Sequence, residues 1–257
     1  MSRHSPFDRT RLLIGDADLQ KLANAGIILF GVGGVGSWCA EALIRSGVCH
    51  LTLVDNDVVC VTNINRQMQA TAKNVGQPKV LALKERLQEI NPDASIHTLQ
   101  TVYNLHTREG FNFSAYDYVI DAIDSLSHKV DLIATAMESG TTLFSSMGAA
   151  NKLDATAIRV DSIWKTRGCR LARFVRKRLR HRKVRGDCLC VYSPEQFSAG
   201  VPEPEDSDDG STDTADEFWN STKAQVNGSM VHVTGAFGFH LAGLVVQDIV
   251  SGKSRRK

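Results

Sequence analysis

The strongest constraint on the fold of this chain is a glycine-rich turn, Gly31-Val32-Gly33-Gly34-Val35-Gly36, that directly follows the apolar run Ile27–Phe30. A short apolar run that ends at a glycine predicts a buried strand of a parallel sheet. The glycines permit a tight turn and a close approach to the backbone, and a helix is predicted from about Ser37 to Arg45. Because a helix start exposes backbone N–H groups, this arrangement predicts a site for the phosphates of a nucleotide.

A second predicted strand, Leu51–Val54, ends in an acid. Asp55 lies roughly 20 residues after the turn, the separation at which a carboxylate meets a ribose hydroxyl in dinucleotide-binding folds. The alternative is a tight strand-to-helix turn that binds no ligand. The occurrence of strand, turn, helix and acid in this register favours the nucleotide.

Two cations after Asp55 bear on which nucleotide is bound. A dehydrogenase holds its dinucleotide largely on backbone and apolar contacts, whereas phosphoryl or adenylyl transfer needs fixed cations to offset negative charge. Arg66 lies in a polar segment, and Lys79 lies in the first turn of a helix predicted over Pro78–Ile90. These residues favour ATP. The alternatives are a solvated surface lysine and a surface arginine bonded to a loop carbonyl.

Two further acids follow the next predicted strand, Tyr116–Ile120. Asp121 and Asp124 are therefore expected at the carboxyl end of a parallel strand, the edge at which such sheets bind ligands. Mg²⁺ typically takes one or two protein carboxylates beside the phosphates of a nucleotide, so one of these acids is a candidate ligand. The alternative is that Asp124 or Ser125 caps a helix through Ser127–Ser139.

Several segments together carry a family resemblance. They are Phe7–Thr10, the block Gly31–Asp57, Asn63-Ile64-Asn65-Arg66-Gln67, Val75–Lys79, Asp121-Ala122-Ile123-Asp124, Val191–Glu195 and Val233–Gly238. They resemble the adenylation domain of the ubiquitin-activating-enzyme-like (ThiF/MoeB) superfamily and, within it, the tRNA threonylcarbamoyladenosine dehydratase (TcdA/CsdL) family. The similarity extends over nearly the whole chain.

The resemblance implies roles by position. Gly33 and Gly34 would line the phosphate turn, Asp55 would bind ribose, and Asp124 would coordinate magnesium. The implied catalytic residues are Arg66, Lys79, Asp124 and Arg9. The implied ATP-binding residues are Gly31, Gly33, Gly34, Gly36, Asp55, Asp57, Asn63, Arg66, Gln67, Lys79, Asp121 and Asp124.

The resemblance also implies a reaction. The threonyl carboxylate of threonylcarbamoyladenosine in a tRNA would attack the α-phosphate of ATP, and pyrophosphate would leave. The substrate's own carbamoyl group would then capture the acyl adenylate and close a ring. An internal nucleophile acts at high effective molarity, so no dedicated cysteine is required.

The six cysteines fit this expectation. Cys39, Cys49 and Cys60 are predicted to be small core residues. Cys169 lies among three arginines, a setting that favours a reactive thiolate, and a catalytic thioester is the alternative for it. Cys188 and Cys190 form a single C-x-C, which is a weak metal signal.

Charge is unevenly distributed in the last third of the chain, although the net charge is only +2. The segment 165–185 contains lysines and arginines but no acid, and apolar residues recur in it at helical spacing (Leu171, Phe174, Val175 and Leu179). This predicts an amphipathic helix with a basic face that includes Arg173, Arg176 and Arg180 and that binds tRNA. The alternatives are a solvated face or pairing with the acidic stretch 202–217, which is predicted to be a mobile loop.

The expected fold class is α/β, a Rossmann-like, doubly wound, mostly parallel sheet with helices on both faces. An ATP-binding core is predicted over residues 1–150 and a carboxyl-terminal extension over 151–257, with a helix at about 230–250 that returns to the core. The amino terminus lacks an apolar run, and Ala236–Val250 is too short for a membrane span, so a cytoplasmic protein without membrane contact is expected. A homodimer is also expected, in which Arg9, or alternatively Arg11, reaches the partner's ATP site.

Two other functions are weighed against the dehydratase. One is adenylation of the carboxyl terminus of a ubiquitin-like or sulfur-carrier protein, and the other is a scaffold that binds ATP and RNA without turnover. The basic segment favours tRNA over a small carrier protein, and the presence of Arg66, Lys79 and Asp124 disfavours an inactive scaffold. A sulfurtransferase or carrier protein is a further candidate partner.

Overall fold

The computed structural model describes residues 5–196 and 227–252. Seven strands within these ranges form one sheet in the order β3-β2-β1-β4-β5-β7-β6. The strands are β1 Gly26–Phe30, β2 His50–Val54, β3 Ser95–Leu99, β4 Tyr118–Asp121, β5 Thr142–Ser146, β6 Arg159–Ser162 and β7 Leu189–Tyr192. Neighbouring strands are parallel except at the β6–β7 pair. The mostly parallel sheet confirms the predicted fold class.

Helices cover both faces of this sheet. They are α1 Asp8–Asn24, α2 Gly36–Ser46, α3 Lys79–Ile90, α4 Leu126–Ser139, α5 Arg170–His181 and α6 Val231–Ser251. One apolar core contains buried residues of α1, α2, α3 and α6, and a second core contains those of α4 and α5. The predicted doubly wound arrangement is therefore confirmed.

The strand order reverses between β1 and β4. From β1 the chain continues outward to β2 and β3 on one side, and later adds β4, β5 and β7 on the other. The connections therefore diverge at the carboxyl ends of β1 and β4, where a crevice forms in sheets of this type. The glycine turn follows β1 and Asp121 ends β4, so both border this crevice.

The chain beyond residue 150 is built into the same sheet and core. Strand β7 pairs in parallel with β5, and α6 packs against α2. The approach of these two helices is so close that a Cβ on Gly238 would lie 2.5 Å from the Val35 carbonyl oxygen. Helix α6 occupies the segment at about 230–250 in which a helix was predicted. The acidic stretch 202–217 lies outside the described residues.

The basic segment forms a shorter helix than the prediction of 165–185. Helix α5 begins at Arg170, after Gly168 with φ +70°, and ends at His181, before Lys183 with φ +54°. Left-handed backbone at both flanks stops the helix. The predicted apolar stripe is buried at Leu171, Val175 and Leu179, with Ala172 beside it, whereas Phe174 is half-buried.

Helix α6 is longer than the predicted apolar run. By length and composition alone its 21 residues suffice to cross a membrane, so the prediction that this stretch is too short was wrong. Half of the most apolar part is nevertheless buried inside the protein, and its buried residues belong to the core beside α2. A core helix accounts for this composition.

The cysteines follow the predictions except at one position. Cys39 is buried and Cys49 is half-buried, but Cys60 is exposed, so the prediction of a core residue at position 60 was wrong. The apolar run 58–61 lies outside the strands and makes a single bridge, Val58 to Pro78. Its apolar character therefore did not place Cys60 in the core.

Candidate active site at the carboxyl edge of the sheet

The glycine turn is tightly closed. A Cβ on Gly36 would lie 1.8 Å from the Gly31 carbonyl oxygen, so no other residue fits at Gly36 without moving the backbone. The side-chain amide of Gln69 braces the turn from the side, because its Nε2 donates to the Val32 carbonyl at 2.9 Å. Helix α2 starts at Gly36, and its first turn contains no acidic residue that would oppose the positive end of the helix dipole.

The acid at the end of β2 is joined to this turn. The Val32 N–H donates to Asp55 Oδ2 at 2.8 Å, and the Asp57 N–H donates to Asp55 Oδ1 at 2.9 Å. Burial raises the pKa of the Asp55 carboxyl, and the positive charge of Lys79 and these hydrogen bonds act in the opposite direction. The predicted ribose ligand therefore lies directly beside the turn.

Lys79 lies in the same group. Its side chain is 8% exposed, and its Nζ lies 2.7 Å from Asp57 Oδ2, whose side chain is 59% exposed. As predicted, Lys79 is the first residue of α3. The structure thus brings together Asp55, Asp57 and Lys79 from two elements on one side of the glycine turn.

Arg66 borders the other side of the turn. A Cβ on Gly34 would lie 3.2 Å from Arg66 Cγ and 3.4 Å from the Thr234 Cβ of α6. The guanidinium donates from Nη1 to the Thr62 carbonyl at 2.9 Å, which is the loop-carbonyl bond of the alternative interpretation. The backbone carbonyl of Arg66 accepts from Trp38 Nε1 at 3.0 Å. These contacts fix the arginine beside the phosphate turn.

The two amides of the same loop differ in their roles. Asn63 is buried, and its Oδ1 accepts from the Cys60 N–H at 3.1 Å, so it shapes the loop. Gln67 is also buried, and its Nε2 would lie 3.9 Å from a Cβ on Gly33. The Gln67 Oε1 atom has no hydrogen-bond partner among the described residues. Because an unpaired buried acceptor is costly, a ligand donor beside the turn would stabilise this amide.

Asp121 is held inside the protein. It is fully buried, and its Oδ2 lies 2.6 Å from Lys129 Nζ and accepts from Ser145 Oγ at 2.5 Å. Its Oδ1 accepts from the Ile123 N–H at 3.0 Å, and Lys129 also donates to the Ser146 carbonyl at 2.8 Å. These bonds join the carboxyl ends of β4 and β5. Asp121 thus shapes the segment that leads to Asp124, and its predicted contact with ATP stays untested.

Asp124 is the exposed acid of the pair. It precedes Ser125, the residue that caps α4 by position but makes no side-chain capping hydrogen bond. Within residues 5–196 and 227–252, no three His, Cys, Asp or Glu side chains form a cluster that would hold a metal by themselves. The predicted role of Asp124 as a magnesium ligand stays untested.

The start of α1 lies at the opposite edge of the sheet. Phe7 approaches Gly47 at the carboxyl-terminal end of α2, whereas the glycine turn adjoins the amino-terminal end of α2. An 11-residue helix is about 16 Å long. Arg9, which is exposed in the first turn of α1, is consequently not brought to the ATP-binding residues of its own chain.

Comparison with known proteins agrees with this geometry. The ThiF family matches residues 7–246. The chain belongs to the ThiF family. A tRNA threonylcarbamoyladenosine dehydratase of Bacillus subtilis is 42% identical over 189 residues, which are 74% of each chain. Its Escherichia coli counterpart is 34% identical over 257 residues, 97% of this chain and 95% of the relative.

A solved structure extends the similarity to three dimensions. The E. coli tRNA N6-threonylcarbamoyladenosine dehydratase TcdA in complex with ATP has a TM-score of 0.83 and 32% sequence identity to this ThiF family member. The match covers 98% of this chain and 96% of that one. The likeness therefore includes the carboxyl-terminal part as well as the glycine turn.

Sequence reasoning missed the residues that brace the site. Lys129 was missed because its partner Asp121 lies on a different element. The contacts of residues 229–234 with the site were also missed: Thr234 of α6 packs at the glycine turn, and the carbonyl of Ser229, just before α6, accepts from Asn65 Nδ2 at 3.0 Å. The available signal for Lys129 was its position beside buried apolar residues of α4, whereas Thr234 lies in a segment that had served only for the family resemblance.

Proposed function

We propose that this ThiF family protein is an ATP-dependent tRNA threonylcarbamoyladenosine dehydratase. The observation that carries the proposal is the grouping of Arg66, Lys79 and Asp55 around one glycine turn, in a chain whose full-length relatives bear that name. The substrates are ATP and a tRNA carrying threonylcarbamoyladenosine. The products are the cyclic form of the nucleoside, AMP and pyrophosphate.

The residues beside the turn suit adenylyl transfer. Backbone N–H groups of the glycine turn before α2 receive phosphate oxygens, and Arg66 and Lys79 offset the charge that builds up as the substrate carboxylate attacks the α-phosphate. Asp55 holds the ribose, and the unpaired Gln67 Oε1 accepts from a donor of the nucleotide. In the second step the carbamoyl group of the same substrate attacks the acyl carbon, loses a proton and expels AMP.

A magnesium ion fits this set of residues through Asp124. Asp124 is exposed in the segment that follows the carboxyl end of β4. Mg²⁺ takes most of its other ligands from phosphates and water. When bound, the ion neutralises phosphate charge. Asp121 supports Asp124 indirectly, through its hydrogen bond to the Ile123 N–H.

The basic face of α5 is the proposed tRNA surface. Arg173, Lys177 and Arg180 are exposed along it, at spacings of four and three residues. Arg176, which was predicted to belong to this face, is half-buried and donates to Thr166 Oγ1, so that prediction was wrong. Burial, with the neighbouring charge of Arg180, lowers the pKa of Arg176. The exposed residues neutralise tRNA phosphates.

The proposal includes a homodimer in the cytoplasm. Arg9 lies at the wrong edge of its own sheet to reach the nucleotide, so it serves the site of a second subunit, where its guanidinium meets phosphate oxygens bidentately. Arg11 is less suited, because it already pairs with Asp8 at 3.3 Å. A sulfurtransferase or carrier protein is a secondary partner under this proposal.

The test is turnover with purified components. The full chain, ATP, magnesium and tRNA bearing the open nucleoside should yield a nucleoside lighter by one water, with one AMP per product. Lys79→Ala should abolish the reaction, whereas Lys73→Ala, which changes an exposed lysine in the loop before α3, should retain it. An unchanged nucleoside, together with ATP-dependent adenylation of a carrier protein's carboxyl terminus, would favour the carrier activator instead. ATP and RNA binding with neither reaction would favour the scaffold.

A further inference from the structure

An arginine lies over an aromatic ring near the carboxyl-terminal end of α5. The Arg180 Cζ lies 5.7 Å from the ring centroid of Trp164 and over its face. Arg180 is exposed, and Trp164 is half-buried against the core under α5. Among the described residues, no acid forms an ion pair with the Arg180 guanidinium.

The tryptophan is held in place at two points. Its indole Nε1–H donates to the Gly186 carbonyl at 2.8 Å, and its backbone N–H donates to Ser162 Oγ at 3.2 Å. A ring fixed in this way presents one constant face, and the attraction between guanidinium and ring holds the arginine over that face. The ordering of Arg180 is thus achieved before any ligand arrives.

The contacts of Trp164 and Arg180 form a flat surface on which a ring can stack. An arginine that only bound phosphate would not need an ordered aromatic ring beneath it. A guanidinium held over tryptophan still offers a planar face to a ligand, and unpaired RNA bases stack on aromatic rings and on arginine planes. We propose that Trp164 and Arg180 form a binding site for an unpaired nucleobase of the RNA substrate. The inference rests on the proposed tRNA substrate and adds a base-stacking subsite to it.

The position of this subsite suits a large ligand. Trp164 follows β6, whose end lies beside the start of β7, so the pair lies at the amino edge of the sheet. The other end of α5, its amino terminus, follows Cys169 and Gly168. Gly168 packs on Pro194, just beyond the carboxyl end of β7. The 12 residues of α5 span about 18 Å. A base at this subsite is therefore a different nucleotide from the one that reacts.

The experiment separates base stacking from phosphate neutralisation, because only the second depends strongly on salt concentration. Binding of a tRNA anticodon stem–loop to the full chain is measured by fluorescence anisotropy over a range of salt concentrations. Trp164→Leu and Arg180→Lys should each weaken binding about 5- to 150-fold at every salt concentration, with the slope unchanged, because they remove stacking but no charge. Trp164→Phe should retain most of the affinity.

Two controls separate stacking from charge. Lys177→Gln, a change on the same exposed face at a lysine with no aromatic partner within residues 5–196 and 227–252, should flatten the slope of log affinity against log salt by about one unit. A stem–loop with abasic sugars in its loop should bind the wild type as weakly as the intact loop binds Arg180→Lys. ATP affinity, measured without RNA, should be the same for all variants.

The outcomes that overturn the inference are distinct from failure of the proposed function. Wild-type affinity in Arg180→Lys would exclude a stacking role, and this exposed, charge-conserving change decides the matter even if Trp164→Leu unfolds. A flattened slope in Trp164→Leu would make the tryptophan a support for a phosphate contact. If the wild type does not bind the stem–loop or tRNA at all, the tRNA substrate itself is refuted.

Discussion

Replacement of Lys129 by methionine removes one half of a buried ion pair. Both side chains are 0% exposed, and Lys129 Nζ lies 2.6 Å from Asp121 Oδ2. Methionine has a similar length, so most of the effect comes from leaving the carboxylate without its cation. Breaking such a pair typically lowers the free energy of unfolding by about 3–5 kcal/mol. At about 2–4 °C per kcal/mol for a protein of this size, the melting temperature should fall by about 6–20 °C.

Urea and thermal unfolding of the purified chain measure this loss. The matched control is Lys21→Met, because Lys21 Nζ lies 2.7 Å from Asp18 Oδ1 but its side chain is 60% exposed. The control should change the free energy of unfolding by no more than about 1 kcal/mol. Adding Asp121→Asn to Lys129→Met should recover part of the loss, since it removes the stranded charge. Equal small losses for the two lysines would refute the reasoning that burial makes the first pair strong.

Three further predictions concern the site. Cys169→Ala should keep most turnover, because the nucleophile belongs to the substrate; lost turnover with ATP binding and folding intact would favour a thioester. Arg9→Ala and Asp124→Ala should each be nearly inactive, yet coexpression should restore roughly a quarter of wild-type activity through mixed dimers. No recovery in dimers confirmed by mass would place Arg9 in its own subunit's site or in neither. Burial raises the pKa of Asp55, so the folded state holds more protons than the unfolded state once the pH exceeds about 4. The free energy of unfolding therefore falls as the pH rises from the ordinary pKa of the carboxyl to the raised one. The stability of Asp55→Asn relative to wild type, measured in urea from pH 4 to 7, should therefore improve with pH, and a constant difference would contradict this.

The nucleotide-binding half of the fold was predictable from local pattern. The run at Ile27–Phe30, the glycines after it and the acid after Val54 are constrained by backbone sterics and by the burial of consecutive apolar residues, which act over a few positions. The strand, turn and helix accordingly lie within one or two residues of their predicted bounds. Lys79 was placed at its helix start for the same reason.

The partners of individual side chains were decided only by tertiary structure. Asp121 was predicted at a ligand edge, and it lies there, but the packing of α4 on the sheet gives its carboxylate to Lys129. Arg176 shares the charge pattern of Arg180, yet the turn before α5 draws it to Thr166 while Arg180 extends over Trp164. Helical spacing assigns a residue to a face, but its neighbours come from elements distant in the chain. The sequence by itself therefore determined where this protein can hold a nucleotide, whereas the packing of α4, α5 and α6 decided which charges remain available to ligands.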